Sequence, residues 1–182
     1  IFTGLAVAVA FHAGLFNIGG EGQALFGGIG LALLCLALDS VVPRFVLLPL
    51  AVASAAAFGA FWAFIPGYLQ ARRGSHVVIT TIMFNFLAST LLVYLLVNVI
   101  GKAGSMQPET RNFSAAAKMP AFHDIFASLG FAMPQTPLNL TLILALLSAW
   151  LVWLLIYRSR LGYEIRTVGA NPQAAVYAGT SP

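Results

Sequence analysis

The chain has 182 residues, of which 60% are hydrophobic and only 8% are charged. A soluble domain carries roughly 25% charged residues, so this composition excludes an ordinary water-soluble protein and indicates one that lies in a membrane. The formal net charge of +4 does not require a nucleic-acid partner, because few acids remain to offset ordinary loop cations. The one cysteine, Cys35, excludes an internal disulfide and a cysteine-based metal cage.

Uncharged runs follow one another along the chain, and each is long enough to cross a bilayer. A spanning helix needs about 17–25 apolar residues, and its backbone polar groups must be paired within the segment. The runs cover residues 1–20, 22–38, 45–66, 77–100 and 138–157. We therefore predict that residues 1–182 form an all-α, polytopic transmembrane helix bundle with about five spans. Because the chain opens inside an apolar run, we expect it to be an internal piece of a longer protein.

Basic residues predict the orientation of these spans, since Lys and Arg collect in cytoplasmic loops. The densest basic clusters lie beside the third, fourth and fifth spans: Arg72, Arg73, Arg158, Arg160 and Arg166. The other basic residues are more widely spread and lie on the opposite side. This pattern places residues 101–137 in a long outer loop and residues 158–182 in the cytoplasm.

The outer loop contains a short segment with an apolar stripe at helical spacing. Its apolar and polar positions fall on opposite faces: Phe122, Ile125, Phe126 and Leu129 against His123, Asp124 and Ser128. This arrangement predicts an amphipathic helix on the outer surface. Such a helix either packs on the bundle or meets an external partner, and the residues alone leave both alternatives open.

Residues 16–23 read Phe-Asn-Ile-Gly-Gly-Glu-Gly-Gln and combine glycines with polar side chains between two apolar runs. Three glycines within four residues remove helix preference. One interpretation is an inner turn between two spans. The other is an unwound segment at membrane depth, which is tolerated only where it is buried in protein or lines an aqueous cavity. In that case freed backbone groups and a half-helix N-terminus would face a substrate, as in many transporters.

Polar side chains in the spans add candidates. We expect Glu21 to be the only acid that adjoins the apolar core of a span, and an intramembrane carboxylate is usually paired or functional. Thr81 and Asn85 are four residues apart and share one helix face, where Asn85 would bond either another helix or a polar substrate. His12 is expected to be a hydrogen-bonded interior histidine. The candidate substrate-path residues are Asn17, Glu21, Gln23, Thr81 and Asn85.

The C-terminal segment has readable helix signals. Asn171 is a good N-cap, Pro172 suits the first helical position, and Gly179 suits the residue just past the helix end. These signals predict a helix of about two turns over residues 172–178, too short to be stable alone, so a neighbour must hold it. A flat face of small residues would fit a groove on that neighbour: Ala174, Ala175 and Ala178.

Motifs of catalysis are missing from the sequence. We find no G-x-x-x-x-G-K-[ST] phosphate loop and no complete dinucleotide fingerprint. The three histidines are far apart, which indicates that there is no metal cluster, and no nucleophile is paired with a base. We therefore predict a protein without catalytic residues and without a metal site.

Four motifs, taken together and in order, resemble a known family. Residues 16–23, 65–74, 78–85 and 160–179 are similar to segments of the permease subunits of bacterial ABC importers of the branched-chain amino acid/ribose type, and within it of the nucleoside and simple-sugar permeases. The resemblance implies a permease subunit of the bacterial plasma membrane that translocates a nucleoside-like or simple-sugar solute into the cell. It implies no catalytic chemistry and no cofactor in this chain itself.

The resemblance also implies partners. They are cytoplasmic ATP-binding subunits that hold the ATP, a second permease subunit in a homo- or heterodimer, an external solute-binding protein and membrane lipid, with no nucleic acid. Residues 158–182 correspond to the loop that couples the permease to the ATPase. The positions that match the coupling motif are Glu164, Arg166, Gly169, Asn171, Ala174, Ala175 and Gly179. Val176 departs from the motif, where the family often has Arg.

Two other classes of function compete with this one. An ATP-independent channel or secondary transporter for a small polar solute would not need a docking helix after the last span. A membrane enzyme would need clustered acids or histidines, which the sequence lacks.

Overall fold

The computed structural model describes residues 1–102, 104–131, 134–177 and 179–180. These residues form eight α-helices: α1 Phe2–His12, α2 Gly20–Leu38, α3 Arg44–Arg73, α4 Val77–Asn98, α5 Phe122–Ser128, α6 Thr141–Arg158, α7 Arg160–Ala170 and α8 Pro172–Tyr177. A 3₁₀ turn covers Ala115–Ala117. Across the same ranges, β-structure is limited to one isolated bridge between Ala121 and Asn139, which confirms the all-α prediction.

Among the described residues, four helices are long and apolar enough to cross a membrane: α2, α3, α4 and α6. They confirm a polytopic transmembrane bundle. The first predicted span, residues 1–20, is helical over the 11 residues of α1 and then only at Gly20, where α2 begins. Helix α1 ends because Gly14 adopts a left-handed conformation with φ of 72°. The amide of Leu15 bonds to the Ala10 carbonyl and that of Gly14 to the Phe11 carbonyl, which satisfies the last carbonyls of the helix.

The chain divides into two compact units. The first combines Ile1–Leu15 with Met119–Pro182, and the second is Phe16–Lys118. The second unit therefore contains α2, α3 and α4, and the first contains α1 and α5 to α8.

In the second unit, α3 runs antiparallel to α2 and α4. Ser54 of α3 donates a hydrogen bond to the Gly30 carbonyl of α2, at 2.8 Å. Nearer the start of α2, Phe26 stacks on Trp62, with ring centroids 3.8 Å apart. These two rings form the buried core of the unit together with Ile29 and Ala88.

An ion pair between Arg111 and the buried Asp39 fastens residues 111–114 to the far end of α2. Asp39 directly follows Leu38 at the end of this helix and is 3% exposed. The Arg111 guanidinium donates to both carboxylate oxygens of Asp39, at 2.7 and 3.0 Å, and to the Leu36 carbonyl at 2.8 Å. Ser114 adds two bonds, one from its amide to the carboxylate and one from its hydroxyl to the Asp39 carbonyl. The expectation that Glu21 alone among the acids adjoins a span is therefore wrong.

The helix predicted within residues 122–129 is confirmed as α5, Phe122–Ser128, while its place on the outer surface stays a prediction. It belongs to the first unit, where the Phe122 amide bonds to the Leu138 carbonyl and the Leu140 amide to the Pro120 carbonyl. These two bonds tie the start of α5 to the start of α6. None of the residues of α5 is buried, so its apolar stripe is only partly covered within this unit.

The ion pair predicts how stability depends on pH. The hydrogen bonds from Arg111, followed by that from the Ser114 amide, lower the pKa of Asp39 from its ordinary 3.8 to about 2. A carboxyl with a lower pKa in the folded state stabilises the fold above its unfolded pKa, and this contribution is lost as the pH falls from about 4 to about 2. Arg111→Gln should therefore lower the melting temperature by a constant amount above about pH 5, and by progressively less below pH 4.

Thermal unfolding of the purified protein in detergent, from pH 7 to pH 3, measures this difference. Arg72→Gln, in the last turn of α3, is the matched control. A gap between wild type and Arg111→Gln that stays constant down to pH 3 would contradict the prediction.

Candidate functional site

The glycines of residues 16–23 do not unwind the chain where the sequence suggested. Gly20 is the first residue of α2, so Gly20 and Gly22 are helical, and the non-helical stretch is residues 13–19. The first amides of a helix have no partner within it. At the start of α2, the Gly22 amide finds one in the side chain of Asn85 of α4, at 2.9 Å.

Asn85 clamps the start of α2 to α4 through both ends of its amide. Its Oδ1 accepts the bond from the Gly22 amide, and its Nδ2 donates to the Ile18 carbonyl at 3.0 Å. The side chain thus holds the last non-helical residues and the first turn of α2 together. This arrangement favours the helix-bonding alternative for Asn85, while its contact with a solute stays a prediction.

Three further candidates surround Gly19. Asn17 Oδ1 accepts a bond from the Gly19 amide at 2.9 Å and lies 3.5 Å from the side-chain nitrogen of Gln23. A Cβ added at Gly19 would lie 3.2 Å from the Cβ of Thr81. Thr81 is buried and donates its hydroxyl proton to the Val77 carbonyl of its own helix, at 2.8 Å.

The predicted substrate-path residues therefore form one cluster where α2 begins beside α4. Glu21 is exposed in the first turn of α2, where a negative charge is favoured by the helix dipole. Because Asn17, Gln23, Thr81 and Asn85 are only half-buried or buried, Glu21 is the member of the cluster most open to its surroundings.

Trp62 belongs to this site, although the sequence analysis does not single it out. It is 8% exposed, and among the described residues its indole nitrogen has no hydrogen-bond partner. A Cβ added at Gly22 would lie 2.9 Å from this nitrogen and 2.9 Å from Asn85 Oδ1. Gly22 is therefore required for the close approach of three helices. The sequence could have indicated Trp62, because a tryptophan inside an apolar run carries an indole N–H that usually needs a hydrogen-bond partner.

The cluster lies well inside the length of the bundle. Trp62 is level with Gly22, and α3 continues beyond Trp62 to Tyr68 and Arg73. At 1.5 Å per residue, Gly22 lies about 9 Å short of Tyr68 and about 16 Å short of Arg73, and Gly20, where α2 begins, is about 3 Å nearer to both. Since Tyr68 suits a membrane boundary, this offset favours the interpretation in which the chain is non-helical at membrane depth.

The coupling segment begins at a sharp turn in the first unit. Ser159 ends α6, and its hydroxyl oxygen accepts a bond from the Gly162 amide at 3.0 Å, which caps α7. Helix α7 was not predicted from the sequence, where the only helix expected in this segment was residues 172–178. A Cβ at Gly162 would overlap the carbonyl oxygens of Leu155 and Ile156, so the turn depends on this glycine.

The helix signals of α8 are confirmed. Asn171 Oδ1 accepts bonds from the Gln173 and Ala174 amides, at 3.0 and 3.1 Å. Gly179 adopts a φ of 77°, and the Thr180 amide bonds to the Ala175 carbonyl at 2.9 Å. The predicted helix end at Ala178 lies outside the described residues, and α8 is described as Pro172–Tyr177.

The predicted alanine face of α8 is not a single exposed surface. Ala174 is exposed, whereas Ala175 is only 2% exposed and packs inside the unit. Ala178 lies outside the described residues. The large exposed side chains of this helix are instead Val176 and Tyr177.

The other predicted coupling residues make contacts within the first unit. Glu164 accepts a bond from Arg160 at 3.0 Å, and the Arg166 guanidinium lies 5.4 Å from the centre of the Tyr157 ring. Gly169 packs against the backbone of residues 12–14. The predicted hydrogen bonding of His12 is confirmed, since its Nδ1 bonds to the Ala8 carbonyl at 2.8 Å and its Nε2 lies 3.2 Å from the Tyr157 hydroxyl, although the residue is half-buried rather than interior.

Comparison with known proteins gives the family. Residues 1–182 match the family described as the branched-chain amino acid transport system/permease component, and the chain belongs to it. It is 41% identical to the guanosine ABC transporter permease protein of Bacillus subtilis, over 100% of this chain and 49% of that protein. Membership of this family, together with the four long apolar helices, shows that the chain belongs to a multi-pass protein of the plasma membrane.

Two other relatives carry related names. The chain is 36% identical to the nucleoside ABC transporter permease protein of Lactococcus lactis, over 100% of this chain and 49% of the relative. It is also 36% identical to the glucose ABC transporter permease protein of Haloferax volcanii, over 100% of this chain and 47% of the relative. The chain thus spans about half the length of these curated relatives. No solved structure matches it significantly.

The crowding at Gly22 predicts the effect of a single methyl group. Gly22→Ala should destabilise the protein by about 1–3 kcal/mol, because the new Cβ meets Asn85 Oδ1, Trp62 Nε1 and the Phe84 carbonyl in a packed site. Thermal unfolding in detergent, followed by tryptophan fluorescence, measures the loss.

Gly28→Ala on the same helix is the matched control. An added Cβ there meets no described atom within 4 Å, and alanine favours helix, so stability should be unchanged or slightly higher. Equal stability of the two variants would show that α2 does not approach α3 and α4 as closely as described.

Proposed function

We propose that this chain forms part of the membrane pathway of an ABC importer, as a permease subunit that carries a nucleoside-like or simple-sugar solute into the cell. Family membership supports the permease role, and the relatives named for guanosine, nucleoside and glucose transport support the solute class. The observation that carries the proposal is the capped pair α7 and α8, which follows directly after the spanning helix α6.

The ATPase docks on α7 and α8 in this proposal. Together they expose four large apolar side chains: Leu161, Tyr163, Val176 and Tyr177. Exposed apolar side chains on a segment next to the membrane suit a contact with another protein. Helix α8 has only six residues, so a partner surface would add to the caps that hold it. ATP is bound and hydrolysed by that partner, and this chain performs no covalent chemistry and needs no cofactor.

The solute passes the cluster at the start of α2. A helix start presents amide donors and a positive dipole end to acceptor oxygens, and nucleosides and sugars are rich in hydroxyl groups. Asn17, Glu21 and Gln23 add side-chain donors and acceptors. A polar site of this kind rejects a wrong solute by leaving its own groups unpaired.

The remaining partners follow from the same role. A second permease subunit completes the pathway, as a homo- or heterodimer. An external solute-binding protein delivers the solute, and α5 in the outer loop is a candidate contact because its apolar stripe is only partly covered in its own unit.

Uptake into proteoliposomes tests the proposal as a whole. The permease is expressed from its complete coding sequence and reconstituted with its ATPase and binding protein, and a labelled nucleoside is competed with a panel of nucleosides and sugars. We expect uptake that requires ATP and is blocked by nucleosides or sugars. Uptake without ATP would favour the channel or secondary transporter, and competition by amino acids alone would contradict the solute class.

A charge on the exposed side of α8 should disrupt docking. Ala174 is exposed and lies beside the apolar side chains of α8, so Ala174→Arg should reduce ATP-driven uptake roughly tenfold or more by weakening a buried contact. Recovery of the ATPase with the affinity-purified permease, together with uptake, measures the effect. For recovery of the ATPase, the matched control is Ala127→Arg, an exposed alanine on α5, which should bind the ATPase normally; its uptake is not compared, because α5 is itself a candidate contact for the binding protein. Normal docking of the Ala174→Arg variant would contradict the assigned surface.

The solute-path assignment predicts a transport defect without a folding defect. Glu21 is exposed, so Glu21→Gln should leave the melting temperature unchanged while uptake falls roughly tenfold, the cost of one lost charged hydrogen bond. Glu109→Gln, in the outer loop, is the control and should transport normally. Wild-type uptake kinetics in Glu21→Gln would remove this residue from the path.

A further inference from the structure

Gly169 occupies a position in helix α7 where alanine would stabilise the helix more than glycine does. It lies in the last turn of α7, and glycine in a helix is less stable than alanine because its backbone loses more freedom. A contact must therefore explain it. A Cβ added at Gly169 would overlap the His12 carbonyl oxygen and would lie 2.9 Å from both the Ala13 carbonyl carbon and the Gly14 nitrogen.

The same contact leaves little room for a side chain at Gly14, on the other side of it. Gly14 has a φ of 72°, and a Cβ added there would lie 3.2 Å from the Gly169 carbonyl oxygen and 3.3 Å from its Cα. Two backbones thus touch with no side chain between them, and we name this contact the Gly14–Gly169 joint. It connects the coupling segment to the turn that ends α1.

A second contact supports the joint from the side. The His12 ring meets the Tyr157 ring edge-on at a centroid distance of 5.8 Å, and its Nε2 approaches the Tyr157 hydroxyl. The Arg166 guanidinium of α7 lies over the same Tyr157 ring. Residues from α1, α6 and α7 are therefore packed together at one point. Backbone contacts have no rotamers to adjust, and a close-packed contact of this kind transmits strain from one helix to the other.

The chain continues from this joint directly to the candidate solute path. Residues 15–19 lead from Gly14 to Gly20, where α2 begins, and Asn85 holds Ile18 within that stretch. We infer that the Gly14–Gly169 joint transmits the movement of the ATPase-coupling segment to the start of α2. This inference rests on the proposed function and adds the two glycines as positioning residues for transport, although neither touches the solute.

The test separates transmission from docking. Gly169→Ala is compared with wild type in the transporter reconstituted from the complete permease, its ATPase and its binding protein. We expect the complex to assemble and to hydrolyse ATP, while the amount of solute taken up per ATP hydrolysed falls roughly tenfold, a typical size for a coupling between two sites. Gly4→Ala, in α1, is the matched control, because its Cβ meets no described atom within 4 Å, and its ratio should equal that of wild type.

Gly14→Asn provides a second route to the same answer. Asparagine tolerates a positive φ better than most residues, so this variant adds the Cβ at the joint with little backbone strain, and the ratio of uptake to ATP hydrolysis should again fall. It decides the test if Gly169→Ala does not assemble. A wild-type ratio in either assembled variant overturns the inference. Failure of both variants to assemble, while Gly4→Ala assembles, also overturns it, since the contact would then serve folding alone.

The proposed function fails in a different way. If the wild-type transporter shows no uptake that depends on ATP, the permease role is wrong whatever the variants do. If the wild type transports normally and the ratio is unchanged in Gly169→Ala, only the joint is wrong.

Discussion

The amide side chain of Asn85 is the interaction on which the second unit depends. It accepts a bond from the Gly22 amide and donates one to the Ile18 carbonyl, so it replaces two partners that a continuous helix would have supplied. In a membrane an unpaired backbone group costs several kcal/mol, and a chain break at depth is stable only if such partners exist. The close approach of Trp62 to Gly22, and the stacking of Phe26 on Trp62, hold the first turns of α2 against α3.

The composition and the apolar runs were sufficient to predict a helical membrane bundle, because lipid leaves so few backbone structures possible. The caps of α8 were also predictable, since Asn171 and Gly179 act on their immediate neighbours. The break before α2 was placed several residues too late, at the glycines, because Gly20 and Gly22 serve close packing rather than chain reversal. The pairing of Asp39 with Arg111 joins residues 72 apart in sequence, and local patterns carry no information about it.

The candidate site was predicted as a set of residues but not as an arrangement. Asn17, Gln23, Thr81 and Asn85 are brought together as expected, yet most of their polar atoms bond to backbone or to one another. Sequence shows that a polar residue needs a partner, but only the packing of α2 on α3 and α4 shows which partner it finds. Glu21 is the exposed member, and it therefore carries most of the expected contact with a solute.

The central claim is that α2 begins inside the membrane beside a water-filled path, and the accessibility of nitroxide labels in lipid tests it most directly. In a Cys35→Ser background, one label is attached at Glu21→Cys and one at Met83→Cys, an exposed position of α4 at a similar level. We predict that the label at position 21 collides mainly with a water-soluble nickel chelate and the label at position 83 mainly with oxygen dissolved in lipid. Greater collision with oxygen at position 21, or a depth at the headgroups, would contradict the account.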